Sequence, residues 1–359
     1  MSSSSIPTDL ARVCEAVRPV SPQRELEATQ RLDSLTKPLG SLGRLEDMAR
    51  RLYAVQEQRP LAARPARMVT IAGDHGVVEE GVASSPKEVT VLMVRNFLAG
   101  GAAINAICAG AGADLVVVDA GVDAPPFAPH PLLVDGKVAR GTANMAKGPA
   151  MTLEECAAAM RLGISVADKA AADGVRVLGM GEMGIGNTTA SSALFCAYLG
   201  FDAAAMTGMG AGVPKAGLAH KARVIEEALA VNKSAVDSGD VFAVLAALGG
   251  LEIAALAGLV IGAAAKRMAV MVDGFIATAA FTAAWKLAPA VRDYCFFSHG
   301  SAEAGHVRAL QELGEAPLLN LGMRLGEGTG AALGFMLLDA AARVFNDMAT
   351  FEDAGIALS

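Results

Sequence analysis

The chain has 359 residues, 53% hydrophobic and 19% charged, which excludes disorder over most of its length and allows one large α/β domain or two smaller ones. Its 30 basic and 37 acidic side chains leave a net charge of −7 with no long basic run. That argues against a nucleic-acid partner held by phosphate contacts and leaves room for a small anionic substrate.

In chain order, Met1 to Pro22 carries Ser2–Ser5 and mixed charges but no basic-then-apolar leader, so a cytoplasmic location is expected. The five cysteines, Cys14, Cys108, Cys156, Cys196 and Cys295, are odd in number and widely spaced, and read as buried free thiols. Residues 8 to 60 read as helical, broken at Thr36-Lys37-Pro38-Leu39-Gly40-Ser41, where Pro38 and Gly40 punctuate the pattern. Short apolar runs then recur at Met68–Ala72, Leu115–Asp119, Val175–Met180, Met268–Val272 and Leu318–Leu321, each followed by a glycine-rich turn and most by an alanine-rich stretch. Continuous apolar strands alternating with helices predict an α/β fold with a doubly wound parallel sheet. Residues 122 to 150, with Pro125-Pro126, Pro129 and Pro131, read as an irregular excursion.

Val241 to Ala265 has the length of a membrane span, but Glu252 and Gly249-Gly250 favour one buried helix or two shorter ones, so no membrane span is expected. Ala331 to Asp347 reads as a final helix. Residues 1–60 with the C-terminal helix, about 331–359, are expected to form a small helical domain on an α/β core of residues 61–330.

The working surface of such a sheet lies at the carboxyl ends of its strands, where Gly73-Asp74-His75-Gly76, Gly181 to Thr189, Asp273-Gly274 and Gly326 to Gly330 fall. Asn187-Thr188-Thr189 opens a helix after a glycine turn, which suits either a phosphate or a plain N-cap. Gly179-x-Gly181-x-x-Gly184, with Asp202 beyond, also matches the dinucleotide fingerprint and keeps a nicotinamide-dependent oxidoreductase as an alternative. A non-enzymatic nucleotide-binding protein is a second alternative. Lys221, after the turn Thr207-Gly208-Met209-Gly210-Ala211-Gly212, and Ser301, in Ser298-His299-Gly300-Ser301, suit an anion or a ribose. Glu327, between glycines and beside apolar residues, suits a proton acceptor or a helix-dipole partner. Asp74-His75 reads as a catalytic pair or as a turn in which Asp74 orients His75 or caps backbone. His299 and His306 lack metal-ligand spacing, so no metal is expected.

Four strings taken together, Asp33-Ser34-Leu35-Thr36-Lys37-Pro38-Leu39-Gly40-Ser41-Leu42-Gly43, Ala72-Gly73-Asp74-His75-Gly76-Val77, Gly181 to Thr189 and Arg324 to Ala331, resemble the signatures of the nicotinate-nucleotide–dimethylbenzimidazole phosphoribosyltransferase family. Asn346 to Phe351 is similar to that family's C-terminus, so the resemblance spans nearly the whole chain. It implies a Rossmann-like core, a homodimer, no cofactor, and a role in cobalamin biosynthesis with nicotinate mononucleotide and a benzimidazole base as substrates. It further implies that Glu327 is the general base and Glu182 a second glutamate that orients or assists the base. Gly184, Gly210, Lys221, Asp273 and Ser301 fall where the family holds the ribose-phosphate. Substrate contact is also expected at Ser84, Leu92, Met183, Asn187, Thr188, Gly274 and Leu325. Leu92 is apolar where that family's pocket suggests an amide, which leaves another benzimidazole, a purine or a phenol open beside dimethylbenzimidazole.

Overall fold

A computed structural model describes residues 5–356 apart from 211, 213 and 304, so Ser2–Ser4 and Ala211 of the second glycine turn lie outside the described residues. Its sheet contains β1 (Ala66–Gly73), β2 (Asp114–Gly121), β3 (Leu133–Asp135), β4 (Val177–Met183), β5 (Ala269–Val272) and β6 (Cys295–Phe297). The order is β3-β2-β1-β4-β5-β6, with every neighbouring pair parallel. Strand order reverses between β1 and β4, and the carboxyl edge beside such a reversal is where open parallel sheets place their ligands.

Helices α1 (Thr8–Ala16), α2 (Pro22–Asp33) and α3 (Arg44–Gln56) precede the sheet. Helices α4 (Glu88–Leu98) and α5 (Ala103–Ala111) join β1 to β2, and α6 (Leu153–Ala172) joins β3 to β4. Between β4 and β5 run α7 (Asn187–Leu199), α8 (Ala203–Met206), α9 (Leu218–Val231), α10 (Lys233–Ser238), α11 (Val241–Leu248) and α12 (Leu251–Ala265). Helix α13 (Phe275–Leu287) joins β5 to β6, and α14 (His306–Glu312) and α15 (Thr329–Asp347) follow.

The period of two along each strand sorts the layers. On β1, Val69 and Ile71 face a core shared with α6, α12 and α13, while Met68 and Ala72 face one shared with α3, α5 and α15. Both faces are covered, which is why the strands read as unbroken apolar runs. Helices α6 and α12 cross so closely that a Cβ on Gly163 would collide with the Ala255 carbonyl, and one on Gly258 with that of Met160. Helix α2 packs on α3 and α3 on α15, which also lies against β1, β4 and β5.

Some expectations are revised and others are met. Leu318–Leu321 is not a strand; Leu319 makes one isolated bridge to His299, and the sixth strand is the three-residue β6. The excursion of residues 122–150 contributes β3 to the edge of the sheet. Strand β4 continues through Gly181, Glu182 and Met183, so Glu182 stands on a strand end rather than in a turn. Val241–Ala265 resolves into α11 and α12, broken at Gly249-Gly250. Glu88–Ala111 is long and apolar enough to cross a membrane by length and composition, but it is the two helices α4 and α5. All five cysteines are free, and four of them are buried.

Candidate active site

At the carboxyl edge, the ends of β4 and β5, the start of α7 and the segments around 299–303 and 324–326 enclose a cavity of about 120 Å³. Glu182, Met183, Gly184, Asn187, Thr188, Gly210, Asp273, Gly274, Ser301 and Leu325 all line it, so most of the expected substrate residues meet in one place. A larger surface cleft, of about 530 Å³, lies between α1 and residues 238–241 and 286–290, away from these carboxylates.

One end of the cavity is cationic. Lys221, on α9, is 1% exposed and stands behind the lining, its ammonium donating to Thr188 Oγ1 at 2.8 Å and to the Gly208 carbonyl at 3.2 Å. Among the described residues no carboxylate pairs with it within 4.0 Å, and burial pulls its pKa down to about 8 although Glu303 favours the charged form. A buried cation with no carboxylate in contact is costly unless an anion arrives. The first turn of α7 opens nearby without a side-chain cap, because Gly186 is the N-cap residue and the Asn187 amide instead donates to Glu182 Oε2. That revises the expectation of an Asn187 or Thr188 cap.

The other end is acidic. Burial, with Asp273, Glu252 and Glu327 close by, pushes Glu182 up to about 8, which favours its protonated form at neutral pH. Burial likewise pushes Asp273 up to about 7, against the pull of backbone N–H groups. Asp273 accepts from Gly328 N–H at 3.3 Å (Oδ2) and from Ala331 N–H at 2.9 Å (Oδ1), capping α15 from another element. Glu327 sits one residue beyond the lining with φ 64°, between Gly326 at 83° and Gly328 at 97°. Holding a residue with a side chain there costs about 1–3 kcal/mol, the kind of strain that clusters at functional sites. Its carbonyl accepts from Thr70 Oγ1 at 2.9 Å, and its carboxylate Oε2 accepts from Ile104 N–H at 3.3 Å in the first turn of α5. Burial raises the pKa of Glu327 while the Ile104 amide opposes that, which moves a carboxylate toward the range of a useful base.

The glycines of the dinucleotide-like match have another cause. Gly179 and Gly181 lie inside β4, where a Cβ would collide with Phe335 and Met68 at the first and with the Glu327 carbonyl at the second. They make room for α15 and the Glu327 loop, not for a pyrophosphate.

Ser84 is exposed and Leu92, on α4, is 57% exposed, and neither lines the cavity. Asp74 does not hydrogen-bond to His75; its Oδ2 accepts from Asp123 N–H at 2.8 Å, the backbone-capping alternative. The partner of His75 is Glu252, with Nε2 to Oε1 at 2.6 Å and both side chains buried. Glu252 stands beneath Gly184, and no local pattern in an apolar helix signals a histidine 177 residues away. His299, set aside only as a metal ligand, lines the cavity beside Asp273. Among the described residues no cluster of three metal-ligating side chains occurs.

A parallel sheet that gathers a buried ammonium and buried carboxyl groups around one cavity suits transfer of a phosphorylated sugar, and residues 17–356 match the model of a family described as phosphoribosyltransferase. More narrowly, the chain belongs to the nicotinate-nucleotide–dimethylbenzimidazole phosphoribosyltransferase family. It is 58% identical over 349 residues to the enzyme of that name from Nitratidesulfovibrio vulgaris strain DP4, covering 97% of this chain and 98% of that one. It is 51% identical over 349 residues to the one from Geobacter metallireducens, again covering 97% and 98%. The crystal structure of the Thermus thermophilus enzyme superposes with a TM-score of 0.89 at 43% identity, covering 94% of this chain and all of that one.

Proposed function

We propose that the chain transfers the 5-phosphoribosyl group of nicotinate mononucleotide to 5,6-dimethylbenzimidazole or a related base, giving α-ribazole 5′-phosphate and nicotinate in the assembly of the cobalamin nucleotide loop. The observation that carries it is the division of one cavity between an ammonium buried without a carboxylate partner among the described residues and buried carboxyl groups, in a chain 58% identical to enzymes of that name.

Lys221, Thr188, Gly210 and Ser301 would hold the phosphate, with Gly184 at the near edge of the ribose. The pyridinium of the donor is already an activated leaving group, so the bond from C1′ to nicotinate breaks with its electron pair returning to the ring. The lone pair of the base nitrogen forms the new bond to C1′ from the opposite face, turning a β-linkage into an α-linkage. The N–H proton of the base goes to Glu327, which must release the Ile104 amide or use its other oxygen. Glu182, neutral, orients the incoming base through hydrogen bonds. Positioning and one proton acceptor cover most of the barrier reduction that such a donor needs.

The test is a chromatographic assay of the purified protein with nicotinate mononucleotide and a panel of bases. Release of nicotinate with an α-ribosyl product is expected; no product with any base would overturn the reading. We further propose that it acts in the cytoplasm as a homodimer, for which sedimentation should give twice the 36.5 kDa chain mass. Residues 1–60 and the C-terminal helix would act as its small helical domain.

A further inference from the structure

Two buried histidines stand side by side at the cavity, with ring centroids 6.3 Å apart, and only one is satisfied. His306 is fully engaged, with Nδ1 accepting from Ser301 N–H at 2.9 Å and Nε2 2.9 Å from Thr278 Oγ1. The Thr278 hydroxyl donates to the Gly274 carbonyl, so it accepts from His306, which fixes that ring as the neutral Nε2–H tautomer. His299 is 2% exposed and lines the cavity, yet neither of its ring nitrogens has a hydrogen-bond partner among the described residues. Burial holds the ring neutral, although the Gly300 backbone works the other way. Its Nε2 lies 3.7 Å from Asp273 Oδ1, too far for a direct hydrogen bond and without charge to make an ion pair.

Buried polar groups are nearly always paired, and with the Gly300 backbone beside the ring it is Nε2, facing Asp273, that calls for a partner the protein does not supply. Two atoms 3.7 Å apart leave space for one oxygen within about 2.8 Å of both. A hydroxyl fits there, donating to the carboxylate and accepting from the ring N–H. The position along the cavity identifies which hydroxyl. Asp273 is bonded to Gly328, next to Glu327 at the reacting end, while Ser301 and Glu303 lead toward Lys221 at the phosphate end. His299 and Asp273 therefore stand where the sugar crosses, on the side nearer the anomeric carbon.

We propose that His299, together with Asp273, binds the 2′-hydroxyl of the ribosyl donor and makes the site selective for ribose over 2-deoxyribose. The inference rests on the phosphoribosyl reading above but has a test of its own. A site built to hydrogen-bond a hydroxyl rejects the analogue that lacks it, because its buried polar groups then stay unpaired.

The experiment compares wild type, His299→Ala and His299→Asn on nicotinate mononucleotide and its 2′-deoxy analogue, with the Tm of each variant measured in parallel. His299→Asn carries the comparison should the alanine variant not fold. The expected result is a kcat/KM loss of about 10- to 100-fold on the ribosyl donor and less than about threefold on the deoxy donor. Equal losses on both, or no loss on either, would overturn the proposal. The same proteins are titrated calorimetrically with ribose 5-phosphate and 2-deoxyribose 5-phosphate, which needs no turnover. Wild type should prefer ribose 5-phosphate and the variants should not. A wild type that binds both equally, or neither, sinks the idea. A ribose preference that disappears in the variants, in a protein that makes no product with any base, leaves His299 in place and removes the transferase reading instead.

Discussion

Glu327 is held on three sides, by Thr70 at its carbonyl, by the Ile104 amide at its carboxylate and by Asp273 through the next residue. Capping of α5 explains one of those contacts, but a neutral residue could cap as well, and capping gives no reason for a left-handed glutamate. Glu327→Gln keeps an oxygen for Ile104 and loses the basicity. Turnover should fall about 10²–10⁴-fold with Tm and donor binding close to wild type; near-normal turnover would remove the general-base role. Lys221 tests the opposite end. Because its ammonium is buried without a carboxylate partner among the described residues, Lys221→Met should leave the ligand-free protein equally or more stable. The same change should raise KM for the nucleotide about 10- to 100-fold, the worth of one charge-assisted hydrogen bond. A lysine that served only packing would give no change in KM.

Among the elements, β4 and the loop ahead of α15 depend on each other. Gly181 pairs with Thr70 in the register of β1 and β4, and the Glu327 carbonyl lies where its Cβ would be. Gly181→Ala should therefore cost about 1–3 kcal/mol as overpacking and lower kcat by displacing the Glu327 loop, read by thermal melts beside steady-state kinetics. An alanine variant with unchanged kcat would mean that the loop tolerates the shift. The same elements show what was legible beforehand. Strands β1, β2, β4 and β5 have apolar runs long enough to stand out, and the glycines after them mark the carboxyl edge. Strands β3 and β6 have three residues each, too few for a pattern, whereas Leu318–Leu321 looks like a strand but makes a single isolated bridge, Leu319 to His299. Glu182 and Glu327 were visible as motif residues. The pairing of His75 with Glu252 and the approach of His299 to Asp273 were not, because they arise from segments that only the sheet order brings together.

For the molecule as a whole, the acidic end of the cavity should show in stability. Glu182 titrates near pH 8 when folded and near about 4.3 when unfolded. Between those values the folded state keeps a proton that the unfolded state has lost. Its contribution is thus fully present below about pH 4 and is lost as pH rises toward 8. Glu182→Gln carries no such proton, so its Tm should fall less than that of wild type from about pH 5 to about pH 8, with Asp273 keeping part of the slope. Parallel curves for the two proteins would mean that Glu182 is already ionised in the fold.

The placement of α15 has a consequence for how the protein is made. This helix and the loop before it cover the central strands β1 and β4, yet they are synthesised after every strand of the sheet. While translation proceeds from the N-terminus, Met68, Val177 and Met271 wait on an apolar face that α3 and α5 cover only in part. The segment that finally shields them is the one that brings Glu327 into the site. The last part of that cover and the carboxylate proposed as the base thus arrive in a single late docking step, and a nascent chain halted before residue 327 would lack both.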